Sequence, residues 1–229
     1  AVATNIHFVD RVKEARKRGA RVWVVDTYRT PTAALADRLV LTRPGSDGAL
    51  ALGLMHLMAR QELADARFLR DRVQGWTELR ERVLPGWTPE RTSTVTGVAV
   101  AELEAMAREL GKARAPFVRI GSGLSRYGNG AMTVRTIVCL TAVTGAFGRP
   151  GGGCLAGTSS SQAFDLRPVT REDLMPRPTR VVNMNRLGEA LTVLDPPVRS
   201  IYVYASNPAA VAPDRSEEHT SELQSLAYL

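Results

Sequence analysis

Apolar positions recur along the chain with helical and strand periods in alternation, the pattern of an α/β protein. Ile6, Val9, Val12 and Ala15 share one face of a helix predicted over residues 5–18, with Thr4 or Asn5 at its start and Gly19 at its end. The run Arg21-Val22-Trp23-Val24-Val25 reads as a short strand buried on both faces. A short helix over 32–36 and a second strand over 38–42 follow. Pro44-Gly45-Ser46-Asp47-Gly48 marks a turn, and Asp47 is placed to cap a helix over 49–60. A further helix is predicted over 61–73, mixed short helices and turns over 75–97, and a helix over 98–111. Residues 116–120 form a third buried strand, 121–130 a glycine-rich loop, and 132–145 a long apolar helix. Glycines 151–153, serines 159–161 and the Pro/Arg-rich stretch 167–180 read as linker, which sets a domain boundary near 150. Beyond it lie a helix over 184–193, a strand over 200–204 and the loop Ala205-Ser206-Asn207-Pro208.

Composition narrows the class. The 229 residues are 44% hydrophobic and 23% charged, which fits a globular core and excludes collagen-like, disordered or disulfide-stapled chains. No run reaches the ~20 apolar residues of a membrane helix, so no membrane segment is expected. The formal charge of +7 rests on arginines, with lysine only at 13, 17 and 112. Arginine suits phosphates and carboxylates, but a GC-rich genome yields the same composition. Cys139 and Cys154 lack metal-cluster spacing, and no histidine completes a zinc pattern. Cys139 is expected to be a buried core thiol.

Both ends carry expectations of their own. The chain opens without Met or a signal-peptide profile and is expected to be an internal fragment. Residues 215–229 are expected to be a non-native tail: Arg215 to Ser225 back-translates into a common sequencing-library adapter, whose frame also accommodates Leu226-Ala227-Tyr228-Leu229.

Three strand-end loops, 26–31, 121–130 and 205–208, are candidates to line one ligand edge together with the turn at 44–48. A carboxylate after a strand can accept two hydrogen bonds from a ribose diol or from the paired N–H donors of guanine. Asp26 and Asp47 therefore suit a purine nucleotide, and Arg29 a phosphate. The same residues also read as a turn aspartate, a helix cap and a solvated arginine. Gly121-Ser122-Gly123-Leu124-Ser125-Arg126 lacks the third glycine of the dinucleotide fingerprint, yet still allows close approach to its backbone. Asn207 reads as a turn residue or as an amide facing a base or pterin. No Ser/His/Asp or Cys/His triad is present, and His56 is expected to be structural.

The series ARKRGARVWVVDTYRTPTAALADRLVLTRPGSDGALALGLMHLM (15–58), RIGSGLSRYGNGAMTVRTIVCLTAVTGAFGRPGGG (119–153) and VYASNPAAVAPD (203–214) resembles, in that order, the molybdopterin oxidoreductase (dimethyl sulfoxide reductase) family. The resemblance covers residues 1–214, the middle third of a typical large subunit. It implies a Rossmann-like three-layer α/β domain with a parallel sheet over 1–150, its first strand missing, and part of a second α/β domain over 151–214. It implies a bis(molybdopterin guanine dinucleotide) cofactor carrying molybdenum or tungsten, used for two-electron chemistry on a small-molecule substrate. By motif, Asp26, Thr27, Tyr28, Arg29 and Thr30 would line the guanosine end of one dinucleotide. Gly45, Ser46 and Asp47 would grip its guanine, and Thr4 and Asn5 would face pyrophosphate. Ile120, Gly121, Gly123 and Leu124 would lie near a pterin, and Asn207 would contact the second dinucleotide. The family's [4Fe-4S] cysteines and metal ligand would lie upstream, so no catalytic or metal-ligating residue is expected here, and the polypeptide alone is expected to be inactive. An electron-transfer subunit is an implied partner of the whole enzyme; nucleic acid is not. The compartment stays open between cytoplasm, which is favoured, and periplasm. A second reading is a metal-free structural and electron-transfer subunit of a respiratory NADH dehydrogenase with the same fold. A nicotinamide dehydrogenase would need a GxGxxG before a helix, and the chain has none.

Overall fold

The computed structural model describes residues 2, 5–157, 163–177 and 179–208. They fall into two compact units, 1–160 and 161–229. Thr4 and the tail at 215–229 lie outside the described residues.

The first unit opens with α1 (Ile6–Lys17), β1 (Trp23–Asp26), a 3-10 turn (Pro31–Leu35) and β2 (Arg38–Leu41). Strands β1 and β2 pair in parallel, with Trp23 opposite Arg38 and Asp26 opposite Leu41. Then come α2 (Asp47–Arg60), α3 (Ala66–Arg72), α4 (Trp76–Glu78), α5 (Pro89–Thr96) and α6 (Val100–Lys112). The unit closes with β3 (Phe117–Ile120), α7 (Gly130–Val143) and β4 (Gly153–Ala156), β3 and β4 again being parallel. The architecture is mixed α/β with short parallel sheets, split into two two-stranded pairs among the described residues.

Helix α2 is the hub. Leu50, Ala51, Leu54, Met55, Leu57 and Met58 are buried on nearly every side, the signature of a core helix. It packs against α5, α6 and α7; α6 contributes Leu103 and Ala107, and α7 Leu140 and Val143, to the same cluster. Gly53 allows α5 to approach closely, because a Cβ there would collide with the buried Thr92 side chain.

Several expectations are corrected. Helix α2 starts at Asp47 rather than 49, with Ser46 at the N-cap and no side-chain cap bond, so Asp47 lies in the first turn instead of capping. The helix expected over 61–73 shrinks to α3, because Glu62 takes a positive φ of 55° and Asp65 caps Phe68 N–H at 2.9 Å. Residues 153–156 form a strand rather than linker: Gly153, at φ +119°, is buried and its N–H donates to Pro116 O at 3.0 Å. A glycine triplet thus marks close packing here; a Cβ on Gly152 would stand 2.5 Å from Ala146 O. The strands are less buried than their sequences suggest: β1 is half-buried throughout and Phe117 of β3 is exposed. Cys139 is half-buried at the core margin.

In the second unit the described elements are α8 (Arg167–Thr170), a 3-10 turn (Met184–Arg186) and α9 (Leu187–Thr192). The strand expected over 200–204 is irregular backbone, it pairs with no strand among the described residues, and Tyr202 and Tyr204 are exposed. No helix among the described residues is long and apolar enough to cross a membrane.

Candidate functional site at the strand tips

The parallel register of β1 and β2 makes their carboxyl-end loops emerge side by side, and Thr42 N–H donates to Asp26 O at 3.0 Å. The half-buried Asp26 side chain organises its own loop. One carboxylate oxygen accepts from Thr27 N–H at 2.8 Å and the other from the Thr30 hydroxyl at 3.1 Å. Tyr28, 65% exposed, and Arg29 project outward from this turn.

Across from it, Gly45 adopts φ +77°, a conformation that turns the chain into α2. The buried Ser46 donates from its hydroxyl to Arg43 O at 2.7 Å and from its N–H to the same oxygen at 3.1 Å. Arg43 fixes the turn from the other side: its N–H donates to Thr96 O at 2.9 Å and its guanidinium to Thr94 O. Asp47 follows, half-buried. Burial pushes its carboxyl above the ordinary aspartate value of 3.8, and the nearby charge of Asp26 pushes the same way against the lowering effect of its own backbone N–H. Neither Asp26 nor Asp47 joins an ion pair among the described residues. Two carboxylates at one sheet edge without a cation are an acceptor set suited to a ligand rich in N–H or O–H donors.

The loop after β3 meets the same turn. Ile120 is buried, Leu124 half-buried, and Gly121 and Gly123 are exposed with open space where a Cβ would stand. The segment coils into a 3-10 turn (Ser122–Arg126). Two residues that sequence reasoning did not single out carry the contact: the Tyr127 ring lies against Gly45, and Asn129 donates from its amide to Gly45 O at 3.1 Å. Their signal was the polar pair at the exit of a glycine loop, just before a helix. Thr42 was likewise missed; its hydroxyl is buried without a hydrogen-bond partner.

The structure therefore brings together 26–30, 45–47 and the end of the 121–130 loop. Asn5 stands at the N-cap of α1 without a side-chain cap bond, and α1 packs on the 3-10 turn that follows the Asp26 loop. Asn207, exposed, belongs to the second unit. His56 is structural as expected: it is buried on α2 with Nδ1 2.7 Å from Leu84 O. A shallow recess of about 370 Å³ is lined by Arg114, Ala115, Arg149 and Pro150, none of them a candidate residue. No group of three or more metal-binding side chains occurs among the described residues.

Parallel strands with polar and glycine-bearing loops at their carboxyl ends define the class of α/β proteins that hold ligands at strand tips. Within it, the chain belongs to the molybdopterin oxidoreductase family, whose model matches residues 1–220. It is 41% identical over 218 residues to the probable oxidoreductase YoaE of Bacillus subtilis, covering 95% of this chain and 32% of that protein. To formate dehydrogenase H of Escherichia coli it is 31% identical over 144 residues, covering 63% of this chain and 20% of the relative. Among solved structures, acetylene hydratase from Pelobacter acetylenicus matches with TM-score 0.58 and 27% identity, over 60% of this chain and 19% of its own. The chain thus spans about a third of the length of the probable oxidoreductases YoaE and YyaE of Bacillus subtilis, two curated relatives it matches.

Proposed function

We propose that the chain forms part of a molybdenum- or tungsten-dependent oxidoreductase and supplies one side of the cradle for a bis(molybdopterin guanine dinucleotide) cofactor. When bound, that group supplies two-electron redox chemistry, such as oxygen-atom or hydride-type transfer. The residues of this chain bind and orient it. The observation that carries the reading is the pair of strand-tip carboxylates, Asp26 and Asp47, close enough for one charge to raise the other and in no ion pair among the described residues.

Asp47 accepts from the paired N–H donors of guanine, with Gly45 and Ser46 shaping the turn that presents it. Asp26, Thr27, Tyr28, Arg29 and Thr30 line the guanosine end. Thr4 and Asn5 face pyrophosphate at the start of α1. Ile120, Gly121, Gly123 and Leu124 approach a pterin, the two glycines leaving the backbone accessible. Asn207 serves the second dinucleotide. In this reading the first unit is the dinucleotide-binding domain and the second unit begins another α/β domain. The metal ligand, any [4Fe-4S] cluster and the contact with an electron-transfer subunit are supplied by other parts of the whole protein.

The test is elemental and nucleotide analysis of the full-length protein. Purified enzyme is expected to contain molybdenum or tungsten and to release a guanine nucleotide on denaturation. A well-folded protein lacking both overturns the proposal and favours a metal-free scaffold.

A further inference from the structure

Asn129 occupies the N-cap of α7, where an asparagine ordinarily accepts a hydrogen bond from its own helix. Here its side chain makes no cap bond. It instead donates to Gly45 O at 3.1 Å, across 84 positions of sequence. Gly45 is the left-handed residue of the turn that starts α2, so its carbonyl is fixed by whatever holds that turn. The Tyr127 ring packs on the same residue, its nearest carbon 3.5 Å from where a Cβ would stand. Asn129 is held in place in its turn. Gly130, buried beside it, has Leu124 O 2.5 Å and Ser125 Cα 2.8 Å from its own would-be Cβ, so the loop after β3 is packed tightly onto the start of α7. Its N–H donates to Tyr127 O at 2.9 Å.

We infer that Asn129 is a positioning residue that latches the loop after β3 to the turn before α2, so that the carboxylate of Asp47 is presented in one orientation. The latch joins the two loops assigned above to the pterin and the guanine of a single dinucleotide, and to that extent it rests on the proposed function. Asn129 acts through Gly45 and touches no ligand itself. A helix-capping residue spent on a distant loop weakens its own helix unless the loop contact is what matters, and that contrast makes the inference testable.

The experiment uses the full-length polypeptide with Asn129→Ala, Asn129→Asp, Asp47→Ala and the Asn129→Ala/Asp47→Ala double variant. Two quantities are read: hydrogen exchange by segment, and guanine nucleotide retained per polypeptide after gel filtration. Loss of one exposed hydrogen bond is expected to speed exchange in residues 43–50 about fivefold in both Asn129 variants. Asn129→Asp keeps the shape and loses the donor, and it gains a better cap. Exchange in 132–143 is therefore expected to stay level or slow while 43–50 quickens. Nucleotide retention is expected to fall in Asn129→Ala and to fall no further in the double variant than in Asp47→Ala. Unchanged exchange in 43–50, an equal rise across α7, or additive losses in the double variant each overturn the latch. If Asp47→Ala alone retains its nucleotide in full, the assignment of Asp47 fails, and the exchange arm still decides the latch.

Discussion

Ionising Asp47 works against the fold. Burial strips water from its carboxyl, and the Asp26 charge adds repulsion, so the folded chain holds that proton more tightly than the unfolded chain does. Stability from this group is present at low pH and falls as pH rises through the raised folded value, remaining reduced above it. Asp47→Asn is therefore expected to raise the melting temperature of the cofactor-free chain at pH 7, read by calorimetry. If Asp47 receives guanine as proposed, the same change sets an amide donor against one of the two guanine donors, at a cost of about 1–3 kcal/mol. Nucleotide content is expected to drop roughly tenfold or more. A variant that keeps its nucleotide would remove Asp47 from the guanine site, and one that melts no higher than wild type would show that its charge does not burden the fold. The types of residue at these positions were legible in sequence: aspartate after a strand and aspartate after Pro-Gly-Ser. What sequence could not supply was the Asn129–Gly45 bond, because nothing local in Arg126-Tyr127-Gly128-Asn129 specifies a partner 84 positions away. The cap role expected for Asp47 failed because the helix begins earlier than expected, at Asp47 itself, with Ser46 at the N-cap and its hydroxyl turned back to Arg43 O.

Elements here are spaced by small residues and tied by a few charged ones. Thr92 is buried directly against Gly53, so Gly53→Ala is expected to wedge α5 off α2 and lower stability by about 1–3 kcal/mol in chemical denaturation. Asp65 joins three elements. It caps α3 through Phe68 N–H, its own N–H donates to Val143 O at 2.9 Å, and its carboxylate meets Arg149 at 2.7 Å. The Phe68 N–H and Arg149 hold its carboxyl below the usual range. Its stabilisation is thus present above pH ~4 and lost as pH falls through the lowered folded value. Asp65→Ala is expected to cost about 1–2 kcal/mol at pH 7, with the difference from wild type shrinking on acidification. At this scale the apolar periodicity located α1, α2, α6 and α7 well. It missed β4, because a strand recruited by pairing with β3 across Gly153 carries little pattern of its own.

The two units of the molecule differ in how they bury their side chains. The first has a continuous core around α2. In the second, Val169 is 80% exposed, Val181 95% and Tyr202 89%, and its buried hydrophobic side chain among the described residues is Ala190. A segment this poor in core is expected to need the rest of the polypeptide to fold. Limited proteolysis of the chain is expected to remove residues beyond about 160 first and leave the first unit protected; uniform digestion would contradict this. The α/β class was readable from alternating strand and helix periods. The fragmentation of the sheet into two pairs was not, since strand propensity says nothing about which neighbours are present to pair. For the same reason residues 200–204, apolar and β-branched, read as a strand but lie as irregular backbone.

Trp23 sits where strand and helix layers meet. Its indole N–H donates to Glu109 on α6 at 2.8 Å, while the Arg38 guanidinium lies 5.5 Å from the ring centroid on the neighbouring strand. That sandwich makes the indole an intrinsic optical reporter of whether β1 stays docked on α6. With Trp76 and Trp87 replaced by Phe, emission from the remaining indole should shift to the red when the strand layer lifts, before the helical core melts. Such a signal would let the docking of the strand layer on α6 be followed in real time without any label.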